Sequence, residues 1–407
     1  MYIYKVGVVG AGTMGAQITH VVSLAGLPVV LTDMSDALAQ RGVQAVRAMY
    51  QVRVSKGKMT TEQLEEKMLL VSPAGDLTAL KDADLVIEAA PEHLPLKQRV
   101  FQQLDAICPP GAMLASNTSA LSISALGAAT KKPGRVLGLH FFNPAYAMPL
   151  VEVIPGLATE QQVIDDAVGF AESIRKVPIL VKECAGFLVN RVLMAYLNEA
   201  VLSLEDGWAS HREIDQDMAA FGMPVGPFAL LDTIGLDIAA DVARILHESY
   251  GPRMTPASFL EVLVKEGRLG AKAGRGFYAY GNGDAAAEDA ELDRLLKTVR
   301  RNGGPREPQW IRSRLLLAMV NEAIMALQEG VASARDIDTA MVAGTGFPVD
   351  KEGPLHFADR LGLDHVLHEL EELVRTAGTR FWPAPMLRRM VAAGFTGHIA
   401  GRGFFTY

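Results

Sequence analysis

The residues of this 407-residue chain best suited to chemistry lie between Leu137 and Ile154, LGLHFFNPAYAMPLVEVI. An apolar run, Val136 to Leu139, delivers His140 into Phe141-Phe142-Asn143-Pro144. A second β-rich run then carries one carboxylate, Glu152, between Val151 and Val153. Twelve residues separate the two (152 − 140), room for one strand to end and its neighbour to begin. Histidine changes charge near neutral pH, so a histidine at a strand end with a carboxylate in reach has the parts of a general base and its orienting group. A lone histidine is more commonly a buried ring satisfied by backbone, so the rest of the chain has to decide.

The N-terminal segment supplies a second chemical constellation. Lys5-Val6-Gly7-Val8-Val9 reads as a strand, Gly10-Ala11-Gly12-Thr13-Met14-Gly15 follows directly, and Ala16 to Ala25 reads as a helix. In such a loop the first glycine allows the tight turn, the second lets backbone approach a pyrophosphate, and the third lets helix and strand pack closely. The pyrophosphate would sit at the positive end of the helix, beside Thr13 and Met14. A second strand, Pro28 to Thr32, ends in Asp33, 23 residues after Gly10 (33 − 10), where a Rossmann fold places its ribose acceptor. An acid there repels a 2′-phosphate and no arginine follows immediately, which favours NAD over NADP.

Further apolar runs alternate with helical stretches: Asp84 to Ala89, Ala112 to Ser116, Val136 to His140, Val151 to Ile154 and Val177 to Val181. That alternation predicts a doubly wound, mostly parallel sheet. Ligands in such sheets sit beyond the carboxyl ends of the strands, where Glu88 to Glu92, Ser116-Asn117-Thr118-Ser119 and His140 would converge. Spacing alone makes Ser119 a turn or N-cap residue equally well. It makes Glu92 and Lys97 a solvated helix face. Lys56 and Lys58, in Ser55-Lys56-Gly57-Lys58, face solvent or an anionic substrate tail.

Composition sets the bounds. Hydrophobic residues make up 49% and charged residues 21%, an ordinary globular balance. The length predicts two or three domains. The net charge of −7 argues against a nucleic-acid partner. Two cysteines, Cys108 and Cys184, have neither metal-ligand nor framework spacing, which fits a reducing cytoplasm and no metal. A strand beginning at Tyr4 leaves no room for a signal peptide, and no apolar stretch approaches a membrane span.

From Gly186 onward the pattern turns helical, beginning with Phe187 to Leu204, and a unit then recurs. Asn198-Glu199-Ala200 returns as Asn321-Glu322-Ala323, an interval of 123 (321 − 198), and Ile214-Asp215 as Ile337-Asp338. Gly226-Pro227 returns as Gly353-Pro354, Gly235-Leu236-Asp237 as Gly362-Leu363-Asp364, and Gly274-Arg275-Gly276-Phe277 as Gly401-Arg402-Gly403-Phe404. The steady register indicates tandem duplication. Residues 281–308 between the copies are rich in Gly, Ala and charge and read as a linker with a short helix at 288–300. Ser313 stands in the second copy where Asn190 stands in the first, and no His/Glu pair recurs. The expected layout is a Rossmann-like α/β domain over 1–184, helical copies over 185–280 and 308–407, and a linker over 281–307.

The glycine loop, "SNTS" around Ser119, "HFFNP…VEV" with His140 and Glu152, and Gly186-Phe187-Leu188-Val189-Asn190-Arg191 together resemble the L-3-hydroxyacyl-CoA dehydrogenases, across essentially the whole chain. The resemblance implies NAD as cofactor, an acyl-CoA partner, His140 as catalytic base and Glu152 as its orienter. It places Ser119 and Asn190 on the acyl group, and Gly10, Gly12, Thr13, Met14, Gly15, Asp33, Glu92, Lys97 and Asn117 at the cofactor. Lysines 56 and 58 match only loosely the family's hairpin that meets the coenzyme A tail. Single-copy members form dimers through this helical domain, so the two copies here are expected to pack as an intramolecular pseudo-dimer. The layout is similar to the dehydrogenase portion of bifunctional fatty-acid oxidation proteins, with no hydratase domain ahead of it. Two other readings stand beside this one: a free hydroxy-acid dehydrogenase of the gulonate, lambda-crystallin-like kind, and a non-catalytic NAD-binding structural protein.

Overall fold

The structure, a computed structural model, describes residues 2–280, 289–301, 303–304 and 306–407. The chain forms two compact units, Met1–Phe187 and Leu188–Tyr407.

The first unit is built on one eight-stranded sheet of order β3-β2-β1-β4-β5-β6-β7-β8. Its strands are β1 (Val6–Val9), β2 (Val29–Thr32), β3 (Val71–Ala74), β4 (Leu85–Glu88), β5 (Met113–Ser116), β6 (Val136–Phe141), β7 (Leu150–Pro155) and β8 (Val177–Leu180). Strands β1, β2, β4 and β5 are buried at every position, as expected where helices cover both faces of a parallel sheet. The covering helices are α1 (Thr13–Leu24), α2 (Asp36–Ser55), α3 (Thr61–Met68), α4 (Leu94–Ile107), α5 (Ile123–Gly127) and α6 (Gln161–Ser173). Only β6 and β7 pair antiparallel; every other neighbouring pair is parallel. Order reverses at β1, between β2 and β4, so the loops after β1 and β4 flank the switch point where such sheets bind ligands.

Edge strand β3 was absent from the sequence expectation. Its run Val71-Ser72-Pro73-Ala74 has one buried residue, and proline is tolerated there because an edge strand leaves some N–H groups unpaired. Helix α1 starts at Thr13 rather than Ala16, since Gly12 is already its N-cap.

The second unit is helical: α7 (Val189–Glu205), α8 (His211–Phe221), α9 (Pro227–Ile234), α10 (Leu236–Tyr250), α11 (Ser258–Lys265), α12 (Ala290–Leu296), α13 (Pro308–Gln328), α14 (Ala334–Thr345), α15 (Pro354–Leu361), α16 (Leu363–Ala377) and α17 (Pro385–Ala392). Helix α7 begins two residues later than the pattern suggests, because Gly186 and Phe187 both have positive φ. The repeated motifs repeat their bonding. Asn198 donates to the Thr255 carbonyl (2.9 Å) and accepts from the Ala257 N–H (2.7 Å); Asn321 does the same with Trp382 and Ala384 (3.0 Å each). Asp232 accepts from the Phe277 and Tyr278 N–H groups (2.8 Å each) and the Tyr280 hydroxyl (3.0 Å), and Asp359 accepts from Phe404, Phe405 and Tyr407 (3.0 Å each). The recurring Gly-Arg-Gly-Phe follows from this. A Cβ at Gly276 would lie 1.9 Å from Asp232 Oδ1, and one at Gly403 2.0 Å from Asp359 Oδ1.

The expected linker is only partly one. Residues 281–288, with the first residue of the expected short helix, lie outside the described residues. From Asp289 onward the segment is packed: Leu292, Leu295 and Leu296 of α12 are buried, and Arg301 and Gly303 donate N–H bonds to the carbonyls of Glu205 and Asp206 that end α7. Gly- and charge-rich composition hid a strap whose backbone satisfies the open end of a helix.

Candidate active site

His140 and Glu152 face each other as register partners across the antiparallel β6/β7 pair. Directly opposed residues project to the same face, so the strand pairing itself brings the two side chains together. Nδ1 of His140 lies 2.7 Å from Glu152 Oε2. Both are buried, His140 at 4% exposure and Glu152 at 0%. A carboxylate only accepts, so Nδ1 carries the proton and donates it, which leaves the Nε2 lone pair as an acceptor. The Phe142 ring meets the imidazole edge-on at 4.6 Å between centroids, and the Phe187 ring lies at 5.8 Å. These two rings keep water from most of the imidazole, and the sequence reading missed both. Phe142 stands two residues after the histidine, just beyond the end of β6, and Phe187 in the motif that leads to Asn190, but nothing in their spacing marks the contact with the imidazole.

The loop after β5 closes on the same nitrogen. Ser119 Oγ lies 3.1 Å from His140 Nε2. With the proton on Nδ1, the serine hydroxyl donates to Nε2. Asn117 accepts the Phe141 N–H through Oδ1 (2.8 Å), joining the ends of β5 and β6. Glu92 Oε1 accepts from the Ser119 N–H (2.9 Å) and from the Thr118 hydroxyl. Lys97 departs from the solvated face that spacing suggested. Its side chain is 1% exposed, and its ammonium donates to Glu88 Oε1 (2.7 Å) and the Ala90 carbonyl (3.0 Å), with Glu92 Oε2 at 3.4 Å. A buried ammonium needs such partners. Gln17 was also missed: it donates to Asn143 Oδ1 (3.1 Å) and accepts the Ala145 N–H (2.6 Å), tying α1 to the loop after β6. Nothing in the spacing of a glutamine on a helix signals that contact.

The glycine loop has the shape a dinucleotide requires. A Cβ on Gly10 would come within 2.7 Å of the Ala89 carbonyl oxygen, and one on Gly15 within 1.7 Å of the Gly10 oxygen. A Cβ on Gly12 would meet nothing within 4 Å, so the backbone there is open to a ligand. Gly12 caps α1 with no side-chain bond, leaving the first N–H groups of the helix, at Thr13 and Met14, free of a side-chain cap. Asp33 Oδ2 accepts the Ala11 N–H and Oδ1 the Met34 N–H, each at 2.7 Å, which fixes the carboxylate at the end of β2. A cavity of about 590 Å³ runs along this loop, lined by Gly12, Thr13, Asp33, Arg41 and Tyr146 among others. A pyrophosphate at Gly12 and the start of α1, with a ribose at Asp33, fits these residues.

Asn190 stands near the start of α7, in the second unit. Lys56 and Lys58, between α2 and α3, are exposed. Among the described residues, no group of three or more His, Cys, Asp or Glu could hold a metal ion, and no helix is long and apolar enough to cross a membrane.

The profile of the 3-hydroxyacyl-CoA dehydrogenase NAD-binding domain matches residues 5–184, and that of the C-terminal domain of the same family matches twice, over 186–280 and 310–407. The chain belongs to the 3-hydroxyacyl-CoA dehydrogenase family. It is 35% identical over 403 residues to the glyoxysomal fatty acid beta-oxidation multifunctional protein of Cucumis sativus, covering 97% of this chain and 55% of that one. It is 37% identical over 400 residues to the fatty acid oxidation complex subunit alpha of Shewanella amazonensis, covering 97% and 56%. The chain thus spans about half the length of the curated relatives it matches. Among solved structures, 3-hydroxybutyryl-CoA dehydrogenase of Escherichia coli superposes with a TM-score of 0.87 at 32% identity, covering 97% of this chain and all of that one. The (S)-3-hydroxybutyryl-CoA dehydrogenase of Ralstonia eutropha gives 0.67 at 40% identity, covering 69% of this chain and all of that one. As a member of the 3-hydroxyacyl-CoA dehydrogenases, the chain is an oxidoreductase with NAD as its cofactor.

Proposed function

We propose that this chain oxidises L-3-hydroxyacyl-CoA thioesters to 3-ketoacyl-CoA, within fatty-acid or related acyl-CoA degradation. The observation that carries the reading is His140, its Nδ1 held 2.7 Å from a buried glutamate and its Nε2 left as an acceptor. NAD, when bound, supplies the hydride acceptor. Everything else falls to side chains. His140 Nε2 takes the proton of the C3 hydroxyl, displacing the Ser119 hydroxyl that holds the same position in the free protein. Glu152 keeps the ring oriented and stabilises the imidazolium formed in a site with little water. Ser119 and Asn190 are assigned to the acyl group, and Gly10, Gly12, Thr13, Met14, Gly15, Asp33, Glu92 and Asn117 to the cofactor side. Lys97 reaches that side through Glu88, Ala90 and Glu92 rather than through open space.

The test is NADH formation from NAD with a panel of L-3-hydroxyacyl-CoA thioesters and the corresponding free acids. Turnover of thioesters is expected; turnover of free acids alone would move the chain to the hydroxy-acid alternative, and none at all would leave a binding protein. In the same assay His140→Gln is expected to lower kcat by ~10²–10⁴ while NAD affinity stays near the parent value. Unchanged kcat would remove His140 from its role.

The same proposal includes tandem duplication of the helical region, with the two copies facing each other as subunits of a dimer do. Arg191 pairs with Glu322 (2.6 Å) and Glu329 (2.7 Å); its counterpart Arg314 pairs with Glu199 and Asp206 (3.2 Å). Arg253 reaches Glu322 (3.2 Å) and Arg380 reaches Glu199 (2.7 Å). Each contact is answered by its reverse, the mark of an isologous interface. A dimer bridged through residues 186–280, seen by gel filtration and cross-linking, would overturn this part. A cytoplasmic location completes the proposal on the low cysteine count, and cell fractionation tests it.

A further inference from the structure

Glu88 has no place in the reaction as described, yet its carboxylate contacts both loops that carry the site. It ends the otherwise apolar strand β4 and is 0% exposed. Oε1 accepts from the Lys97 ammonium (2.7 Å) and the Ala90 N–H (2.6 Å); Oε2 accepts from the Ser116 hydroxyl (2.6 Å). Through Ala90 and Lys97 it holds the loop after β4, which carries Glu92. Through Ser116, whose Oγ accepts the Thr118 N–H (3.2 Å), it holds the loop after β5, which carries Ser119. The two loops then meet at the Glu92–Ser119 N–H bond, and Ser119 Oγ lies on His140 Nε2.

We infer that Glu88 is a positioning residue for the dehydrogenase reaction, acting through Glu92 and Ser119 on Nε2 of His140. The physical reason is competition for the buried ammonium. Lys97 is 1% exposed and has two carboxylates in reach, Glu88 at 2.7 Å and Glu92 at 3.4 Å. While Glu88 satisfies it, Glu92 is available to hold Ser119. A neutral group at position 88 leaves the ammonium uncompensated in a dry site, which is costly. Glu92 is the remaining counterion, and drawing it in withdraws its oxygen from the Ser119 N–H and the Thr118 hydroxyl. Ser119 then leaves its position against Nε2. Ser119 is also assigned to the acyl group, and misplacing a substrate-positioning side chain by about 1 Å costs on the order of 10²-fold in rate.

The inference rests on the proposed reaction, so the experiment has one arm that does not. In the NAD-free full-length chain, the Nε2 resonance of His140 is followed by NMR in wild type and Glu88→Gln; it is expected to move because the Ser119 hydroxyl departs. In the kinetic arm, Glu88→Gln is expected to lower kcat about 10²-fold. In a Ser119→Ala background the same substitution should change kcat by no more than about twofold, because both act through one contact. A purely structural role for Glu88 predicts independent, additive losses. Additivity, or a folded Glu88→Gln protein with parental kcat and an unmoved resonance, overturns the inference. If Glu88→Gln does not fold, Ser116→Ala, which removes only the arm to the second loop, is expected to move the resonance and lower kcat in the same direction by less; no change in either sinks the idea. If wild type turns over no thioester, the proposed reaction fails, and the resonance still decides whether Glu88 positions Ser119.

Discussion

In the first helical half Asp215 accepts N–H bonds from Phe228 and Ala229 at the start of α9 (2.8 and 3.0 Å) and a third bond from the Tyr278 hydroxyl (2.8 Å). In the second half Asp338 accepts from Leu355 and His356 at the start of α15 (2.8 and 3.0 Å), and its third donor is the His356 ring, Nδ1 at 2.7 Å. The counterpart of Tyr278 is Phe405, which has no hydroxyl and instead stacks on the His356 ring at 3.5 Å. The counterpart of His356 is Ala229. Two changes, Tyr to Phe and Ala to His between the halves, thus exchange one third donor for another. Burial pushes the Asp338 carboxyl up to about 6 despite its three donors, and raises that of Asp215 for the same reason. A buried carboxylate at a helix start has to be bonded, and which side chain does it is free to vary. The proposed catalytic pair shows the opposite: His140 and Glu152 occur once and have no counterpart in either half.

The largest expected effect breaks the reciprocity of the central ion pairs. Arg191→Met leaves Glu322 with Arg253 alone and Arg314→Met leaves Glu199 with Arg380 alone, and denaturant unfolding should show losses of about 1.5–3 kcal/mol. The two arginines are not equivalent. Burial lowers Arg314, with Arg380 close by, more than Glu199 and Asp206 raise it; around Arg191, Glu322 and Glu329 outweigh burial and hold the guanidinium above its ordinary value. A variant with parental stability would remove that arginine from the reciprocal pairing. Next comes the donor exchange. His356→Ala leaves Asp338 one donor short and should cost about 1–3 kcal/mol in thermal unfolding. Adding Phe405→Tyr, which copies the first half, should recover most of that loss; no recovery would mean the halves are not interchangeable at this position.

The smallest expected effect concerns pH. Burial, with Arg212 adding to it, pushes His211 of the first half down to about 4, and Ala334 stands at its position in the second half. Between its ordinary 6.5 and about 4 the unfolded chain binds a proton that the folded one refuses, so stability falls as pH drops through that window. Asp338 has the opposite sign: its folded value of about 6 lies above its ordinary 3.8, so the stability it contributes is present at low pH and lost as pH rises through 6. His211→Leu should make the acid-side decline in melting temperature shallower. Part of the decline should persist, because His20 in the first unit is also pushed down to about 4 by burial, with Arg53 and Lys176 adding to it. An unchanged slope would remove His211 as a contributor.

Much of the fold was legible because its signals are local. The strands at Val6, Val29, Leu85, Met113, Val136 and Leu150 announce themselves as short apolar runs, and the glycine loop is a turn with a fixed chemistry. The repeat was legible for the same reason: Gly276 and Gly403 recur because an aspartate oxygen leaves no room for a Cβ. What escaped depends on distant partners. Lys97 sits on a helix whose spacing suggests solvent, and only the end of β4, nine residues earlier in sequence, makes it a buried counterion. The strap around Leu292 and Leu296 escaped because a Gly- and charge-rich composition says nothing of the open helix end it covers.

By itself, then, the sequence determined the inventory: one histidine and one glutamate on two apolar runs, one glycine loop with its acid, and a helical unit present twice. Chain spacing encodes periodicity and turns, and those are settled within a few residues. The tertiary structure decided the pairings: His140 opposite Glu152 in an antiparallel register, Glu88 shared by two loops, and the arginines of each half on the glutamates of the other. These contacts are fixed by which strands and helices become neighbours, and that is a property of the packed chain rather than of any stretch of it.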